Sequence, residues 1–100
     1  MTLTSKQRAY LMGLASNLNP IFNVGKASLT PEMIEGIGQA LEKRELIKVG
    51  VLKNCADDPK SIAEMIGERT HSIVVKVIGK KMIFYKPCKD KEKRKIELPK

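Results

Sequence analysis

The sequence of 100 residues predicts one α/β (α+β) domain with the element order αβαβαββ and a four-stranded mixed sheet. Three segments combine a helix cap with apolar residues at helical spacing, and four shorter segments are rich in apolar and β-branched residues. Hydrophobic residues make up 42% of the chain, which is enough for a single core. We predict the domain over residues 1–87 and a basic, mixed-charge tail, extended or mobile, over residues 88–100.

The first helix is predicted from Thr4 to about Leu18. Thr4 and Gln7 form a T-x-x-Q capping box, in which each side chain bonds the backbone N–H of the other residue. Apolar residues then occupy the i, i+3, i+4 and i+7 positions of one stripe, namely Leu11, Leu14, Ala15 and Leu18. An Asn-Pro pair ends the helix, and residues 21–24 suit a brief strand.

The second helix is predicted to begin after Thr30 and to end near Arg44. A proline at the first helical position and a glutamate in the first turn follow the threonine cap. The predicted buried face consists of Ile34, Ile37, Gly38 and Leu41. Residues 46–52 then alternate as a strand. One face of this strand carries Ile47, Val49 and Val51, and the other carries Leu46, Lys48, Gly50 and Leu52.

The third helix and a hairpin complete the predicted fold. The helix follows an Asp57-Asp58-Pro59 cap, and its inward residues are predicted to be Ile62, Met65 and Ile66. Residues 72–78 form a strong strand, and a tight turn joins them to a strand over residues 82–86. Right-handed crossovers place the second and third helices on one face of the sheet. We expect the first helix to cover part of the opposite face, which carries Leu46, Leu52, Val74 and Ile78.

The charge of the chain predicts a polyanionic partner. Nineteen Lys and Arg residues against eleven Asp and Glu residues give a formal net charge of +8, which attracts nucleic acid or an anionic membrane surface. No acidic residue precedes Glu32, so we expect an electrostatically two-sided body. No apolar run reaches the roughly 18 residues of a membrane span, and we expect a soluble cytoplasmic protein. The acid-free N-terminus also fits a mitochondrial transit peptide, but the capping box favours a structural helix.

The sequence predicts no catalytic residue, no metal site and no cofactor, and we do not expect an enzyme. His71 has no nucleophile or orienting acid around it in a known motif. Cys55 and Cys88 lie 33 residues apart and away from the histidine, so a zinc site lacks ligands at the usual spacing. The Asp57-Asp58 pair could serve acid–base or Mg²⁺ chemistry, but its position before a proline favours a helix cap.

The candidate binding loop is Gly25-Lys26-Ala27-Ser28. Its small residues would let backbone N–H groups approach a phosphate, and a helix N-terminus follows it. It lacks the G-x-x-x-x-G-K-[ST] spacing of a nucleotide-binding P-loop. The residue types alone fit a clamp on a nucleic-acid backbone and an ordinary strand-to-helix turn equally well. Lys80 and Lys81 in the hairpin turn fit solvated residues better than ligands, and Tyr85 fits packing better than base stacking.

Nine stretches along nearly the full chain carry a family resemblance. They are Thr4-Ser5-Lys6-Gln7-Arg8, Leu18-Asn19-Pro20, Val24-Gly25-Lys26, Leu29-Thr30, Ala40-Leu41, Glu45-Leu46-Ile47-Lys48-Val49, Val77-Ile78-Gly79-Lys80, Phe84-Tyr85-Lys86 and Lys95-Ile96-Glu97-Leu98-Pro99. The combination resembles the CRM domain (chloroplast RNA splicing and ribosome maturation), in particular its bacterial single-domain members of the YhbY type. The resemblance implies a fold similar to the C-terminal domain of translation initiation factor three, with RNA binding and no catalysis.

The resemblance also implies a G-x-x-G loop that contacts RNA as the similar loop of KH domains does. Here Ser28 replaces the second glycine, and serine disfavours positive φ although its hydroxyl can donate to phosphate. Bacterial members of the family are associated with precursors of the large ribosomal subunit. The resemblance therefore implies a ribosome-associated assembly factor whose partner is precursor ribosomal RNA.

We expect the RNA-binding surface to combine the first helix, the loop, the hairpin turn and the basic end of the chain. The predicted residues are Lys6, Arg8, Gly25, Lys26, Ala27, Ser28, Lys80, Lys81 and Lys86. We expect a monomer. An alternative hypothesis is a protein-interaction module that docks on ribosomal proteins through the acidic faces of the second and third helices.

Overall fold

The computed structural model describes residues 2–100 and contains the helices and strands in the predicted order. The helices are α1 (Ser5–Ala15), α2 (Pro31–Arg44) and α3 (Pro59–Thr70). The strands are β1 (Phe22–Val24), β2 (Leu46–Val51), β3 (Ile73–Ile78) and β4 (Lys81–Tyr85), and a short 3₁₀ turn at Lys91–Lys93 follows. The fold class and the αβαβαββ order are therefore confirmed.

Side-chain caps fix the starts of the first two helices. The Thr4 hydroxyl accepts a hydrogen bond from the Gln7 N–H at 3.1 Å, and the Gln7 side chain accepts one from the Thr4 N–H at 3.1 Å. The Thr30 hydroxyl caps α2 by accepting from the Met33 N–H at 3.1 Å. Each bond satisfies an N–H group that the helix itself cannot pair.

Helix α1 ends at Ala15, before the predicted end at Leu18. The Ser16 hydroxyl donates to the Gly13 carbonyl at 2.7 Å, and such local bonds compete with the next helical turn. Leu18 lies outside the helix but still packs on the apolar cluster beneath it. The apolar stripe of the sequence thus predicted the contact of Leu18, although the helix itself ends three residues earlier.

The sheet has the strand order β1-β2-β4-β3. Strand β1 pairs parallel to β2, and both β2 and β3 pair antiparallel to β4, which confirms the mixed sheet and the hairpin. Gly79 forms the hairpin turn with a φ of 54°, a conformation that glycine adopts without strain. Strand β3 contains a bulge at Val75, which lies between the pairs Val74↔Phe84 and Lys76↔Ile83.

Two apolar clusters lie on the two faces of the sheet, as the sequence predicts. The cluster under α2 and α3 contains Val24, Ile37, Leu41, Ile47, Val49, Val51, Ile62, Ala63, Ile66, Met82 and Phe84. The cluster under α1 contains Leu3, Leu11, Ala15, Leu46, Val75, Ile83 and Tyr85. Burying apolar surface on both faces makes this a three-layer domain with helices on each side of the sheet.

Val74, Met65 and Leu14 lie elsewhere than predicted, and Leu14 of the α1 stripe is 39% exposed. Val74 packs against the cluster under α2 and α3, because the bulge at Val75 reverses the alternation between Val74 and Ile78. Met65 is 44% exposed, since the inward stripe of α3 runs along its other side. Leu52 and Ile78 are 46% and 50% exposed because they lie beyond the part of the sheet that α1 covers, which agrees with the expectation that α1 covers only part of this face.

The tail of residues 88–100 is held against the body by Glu45. This residue ends α2 with a φ of 65° and is 2% exposed. Its carboxylate accepts backbone N–H bonds from Cys88 at 2.8 Å, Lys95 at 2.8 Å and Ile96 at 3.0 Å. A carboxylate that accepts several N–H bonds at once makes a strong local anchor.

Apolar contacts extend the anchoring of the tail. Ile96 and Leu98 pack against the cluster under α1, and the Pro99 carbonyl accepts a bond from Gln7 Nε2 at 3.0 Å. The alternating charges of the tail indicated an extended or mobile segment, and they did not predict this packing. The end of the chain therefore closes over the start of α1.

Candidate nucleic-acid interface

One end of the sheet brings together three connections, which we call the loop end. They are residues 25–30 after β1, residues 52–58 after β2, and the turn at residues 79–80. Backbone bonds tie them together: the Leu52 N–H donates to the Val24 carbonyl at 2.8 Å, and the Val51 N–H donates to the Lys80 carbonyl at 2.8 Å. The parallel pairing of β1 and β2 places both of their C-terminal ends at this edge.

The candidate loop is a tight turn at the loop end. The Ser28 N–H donates to the Gly25 carbonyl at 2.9 Å, so Lys26 and Ala27 form the tip, and both are exposed. Ser28 has a φ of 57°, the left-handed conformation that a glycine would adopt more easily. The turn thus keeps a glycine-like backbone although the second glycine of the family pattern is absent.

The Ser28 side chain serves the protein itself. Its hydroxyl donates to the Asp57 carboxylate, so it does not point an unused donor at a phosphate. The prediction that the aspartate pair caps α3 through its side chains is therefore wrong. Asp58 occupies the N-cap of α3 but makes no capping bond with its side chain, and Asp57 joins the two loops instead.

Two helices begin at the loop end. Helix α2 starts after the Gly25–Ser28 turn, and α3 starts after the connection that contains Asp57. The N-terminus of a helix carries a partial positive charge that favours an anion. Both helices begin with a proline, which has no N–H, and the Thr30 hydroxyl already accepts from the Met33 N–H of α2, so the partial charge is the main contribution here. The loop end therefore combines two such termini with exposed turns.

Four exposed lysines surround the loop end: Lys26, Lys53, Lys80 and Lys81. The sequence prediction included all of these except Lys53. Lys53 is the second residue after β2, and only the parallel pairing of β1 and β2 brings this connection next to the Gly25–Ser28 turn. The sequence shows a lysine shortly after a strand, which is a signal for an exposed basic residue. It does not show that β1 is the neighbouring strand, and the position of Lys53 beside the turn depends on that pairing.

The three other predicted binding residues lie away from this end. Lys86 follows the opposite end of β4, about 17 Å from Lys81 at the usual rise of a strand. Lys6 is exposed on α1, which packs on the far half of the sheet. Arg8 donates to the carbonyls of Val74 and Val75, so its guanidinium covers the free edge of β3.

The electrostatic two-sidedness expected from the sequence is present in the fold. Neither α1 nor any strand contains an acidic residue. The helical layer on the other face carries Glu32, Glu35, Glu42, Glu64 and Glu68 together with Lys43, Arg44, Lys60 and Arg69, so it is mixed in charge and not uniformly acidic. A surface with one sign of charge attracts a polyanion and orients its approach.

Tyr85 does not belong to the interface. Its side chain is 1% exposed and packs in the cluster under α1, which confirms packing over base stacking. Burial raises the pKa of the Tyr85 phenol above its ordinary value of 10.0, the Glu45 carboxylate raises that pKa further, and Arg94 lowers it.

Other kinds of site find little support in the described residues. Residues 2–100 contain no group of three or more His, Cys, Asp or Glu side chains that could hold a metal ion. His71 is exposed and caps the C-terminus of α3 in a left-handed conformation, with a φ of 56°. No helix within the described part of the chain has the length and apolar character needed to cross a membrane.

The chain matches a known family over most of its length. A family model of the CRS1/YhbY (CRM) domain matches residues 3–86. The chain belongs to the CRM domain family. This CRM domain is 45% identical over 97 residues to the probable RNA-binding protein YqeI of Bacillus subtilis, with 97% of this chain and 99% of YqeI covered.

A further relative and a solved structure are also similar to the chain over nearly its whole length. An RNA-binding protein of Haemophilus influenzae is 37% identical to the CRM domain over 98 residues, which are 98% of this chain and 96% of that protein. The solution structure of the hypothetical protein SAV1595 from Staphylococcus aureus, a candidate RNA-binding protein, is 48% identical with a TM-score of 0.78. The match covers 98% of this chain and 100% of the SAV1595 chain. The family resemblance inferred from the sequence is confirmed, and these relatives are named as RNA-binding proteins.

Proposed function

We propose that this CRM domain binds RNA at the loop end and acts, without catalysis, as a ribosome assembly factor on precursor large-subunit ribosomal RNA. The observation that carries the proposal is the meeting of the Gly25–Ser28 turn, four exposed lysines and two helix N-termini at one edge of the sheet. The names of the relatives give the class of ligand.

Phosphate contact is the expected mode of binding. The exposed tip of the turn lets the RNA backbone approach closely, and Lys26 supplies a full positive charge there. The partial charges of the helix N-termini add to this attraction. Neutralised phosphates release counterions, so the affinity falls steeply as the salt concentration rises. Selectivity for structured ribosomal RNA would come from shape rather than from a sequence code.

The remaining predicted residues belong to the periphery of this proposal. Lys6 and Lys86 lie far enough from the turn to contact only an extended RNA, and Arg8 is partly used in covering the edge of β3. We expect their substitution to weaken RNA binding less than that of Lys26.

Charge reversal of the loop tests the proposed site. Lys26→Glu should weaken binding of a ribosomal RNA fragment about tenfold or more, since one contact is lost and one repulsion is added. The melting temperature should stay within a few degrees because the side chain is exposed. Lys43→Glu, an equal change at an exposed residue in the last turn of α2, away from the loop end, is the matched control. Equal affinities of the two variants across a salt titration would remove the turn from the site.

Ribosome association needs a separate test in cells. RNA crosslinked to the protein should be enriched in precursor large-subunit sequences, and the protein should sediment with immature large particles. Recovery mainly with mature polysomes, or without RNA, would contradict the assembly role.

The alternative of a protein-interaction module rests on the exposed glutamates of the opposite face. Charge reversal at Glu35, Glu42 and Glu64 would then abolish ribosome association and leave binding to naked RNA intact. The proposed RNA-binding role predicts that this variant retains both.

A further inference from the structure

Half of one sheet face is left open by α1. The helix packs over Leu46, Val75 and Tyr85, which lie in the half of the sheet away from the loop end. The cross-strand row next to the loop end has no helix above it and consists of Asn23, Gly50, Lys81 and Ile78. The next row is Lys48, Ile83 and Lys76, and its central residue Ile83 is 4% exposed and packs in the cluster under α1. We call the first row, together with Lys48 and Lys76, the open face.

The open face is basic. Its three lysines, Lys48, Lys76 and Lys81, are all the charged residues of the four strands, and the alternation of the strands directs them to the same side. Lys76 and Lys81 are exposed, and Lys48 is half-buried. Four strands at the usual spacing give the face a width of about 14 Å. It is continuous with the loop end through Lys81.

Gly50, in the middle of the first row, is buried beneath the side chains of the two neighbouring strands. A Cβ atom at this position would lie 2.4 Å from Asn23 Oδ1 and 3.4 Å from Lys81 Nζ. The amide of Asn23 and the ammonium group of Lys81 therefore reach over the glycine from the two neighbouring strands. Ile78 ends the row with its side chain 50% exposed.

We propose that the open face binds unpaired nucleotides of an RNA whose backbone is held at the loop end. The proposal rests on the proposed function and names the form of RNA that the site accepts. An unpaired nucleotide offers a base edge for the Asn23 amide, an apolar base surface for Ile78 and a phosphate for the lysines. A duplex hides its base faces and would leave the amide and the isoleucine without partners. A four-stranded sheet accommodates two or three bases in other RNA-binding folds.

A methyl group at Gly50 tests the proposal without changing the charge, because it would displace the Asn23 amide, whose oxygen lies 2.4 Å from the position of the new Cβ atom. Gly50→Ala should weaken binding of an unstructured ten-nucleotide RNA about tenfold, the effect typical of a lost hydrogen-bonded contact to a base edge. Binding of a fully paired RNA hairpin stem should change less than twofold. The fold should persist, because the atoms that meet the new methyl group are the ends of flexible side chains. Fluorescence anisotropy with both RNAs and a melting curve measure these effects.

A lysine substitution gives a second readout. Lys76→Gln should make the fall of log affinity with log salt concentration shallower by about 0.7 for the single strand, because one phosphate contact is lost. Lys43→Gln in the last turn of α2 removes the same charge far from the open face and should leave that slope unchanged.

The outcomes separate the open face from the loop end. If Gly50→Ala leaves the single-strand affinity unchanged, or weakens both RNAs equally, the open face does not select unpaired nucleotides. If Lys26→Glu weakens both RNAs while Gly50→Ala weakens neither, the loop end stands and the open face is overturned. If only Gly50→Ala acts, and only on the single strand, the open face stands and the proposed loop site fails.

Discussion

Replacing Glu45 by glutamine should release the tail from the body. In the native protein one carboxylate oxygen accepts the N–H groups of Lys95 and Ile96, and the other accepts that of Cys88. Glutamine has a single side-chain acceptor oxygen, so at least one of these N–H groups would face an NH₂ donor. A hydrogen bond to a charged acceptor contributes about 1.5–3 kcal/mol.

The expected result is a drop in the free energy of unfolding of about 2 kcal/mol, which corresponds to a fall in melting temperature of roughly 8–16 °C. Detachment of the tail sets an upper limit to this loss of stability, because the freed N–H groups of the tail then bond to water. The two readouts are urea unfolding and amide hydrogen exchange at Lys95 and Ile96. Glu42→Gln, an exposed position on the same helix, is the control and should change stability by less than about 0.5 kcal/mol. Wild-type stability and unchanged exchange in Glu45→Gln would refute the anchoring role.

Three further predictions follow from single contacts. Asp57→Asn should tighten RNA binding about two- to fivefold at low salt, since it removes a negative charge beside the Gly25–Ser28 turn, and a salt titration should erase the gain. Arg8→Ala should destabilise the fold by about 1–3 kcal/mol in urea unfolding, because two carbonyls at the edge of β3 lose their charged donor. The raised pKa of Tyr85 means that its contribution to stability is complete below pH 10 and is lost as the pH rises through the folded-state pKa. Stability should therefore fall more steeply above pH 10 in the wild type than in Tyr85→Phe; equal slopes would contradict this.

Local sequence signals predicted most of the fold. The capping box at Thr4, the Thr30 cap before a proline and the alternation of residues 46–52 each act within a few residues, and the structure contains all three. The bulge at Val75 was missed because an uninterrupted period of two was assumed, and one extra residue moved Val74 to the other face. Such a bulge depends on how β3 pairs with β4, which no local pattern records.

Contacts between distant segments were the part that the sequence did not predict. The bond between Glu45 and the tail joins residues about fifty positions apart, and the charge alternation of the tail concealed the packing of Ile96 and Leu98. The candidate site was likewise predictable where it depends on local sequence and not where it depends on contacts between distant segments. The Gly25–Ser28 turn was recognisable from small residues before a helix, whereas Lys53 and Gly50 acquire a role only when β1 and β2 lie side by side.

Ultraviolet crosslinking of the purified protein to ribosomal RNA, followed by mass spectrometry of the attached peptides, tests the central claim most directly. If RNA is held at the loop end, the crosslinks should concentrate at residues 25–28, 52–54 and 79–81. Additional crosslinks at Asn23 or Lys76 would mark the open face. Crosslinks confined to the exposed surfaces of α2 and α3, with none at the Gly25–Ser28 turn, would contradict RNA binding at the loop end.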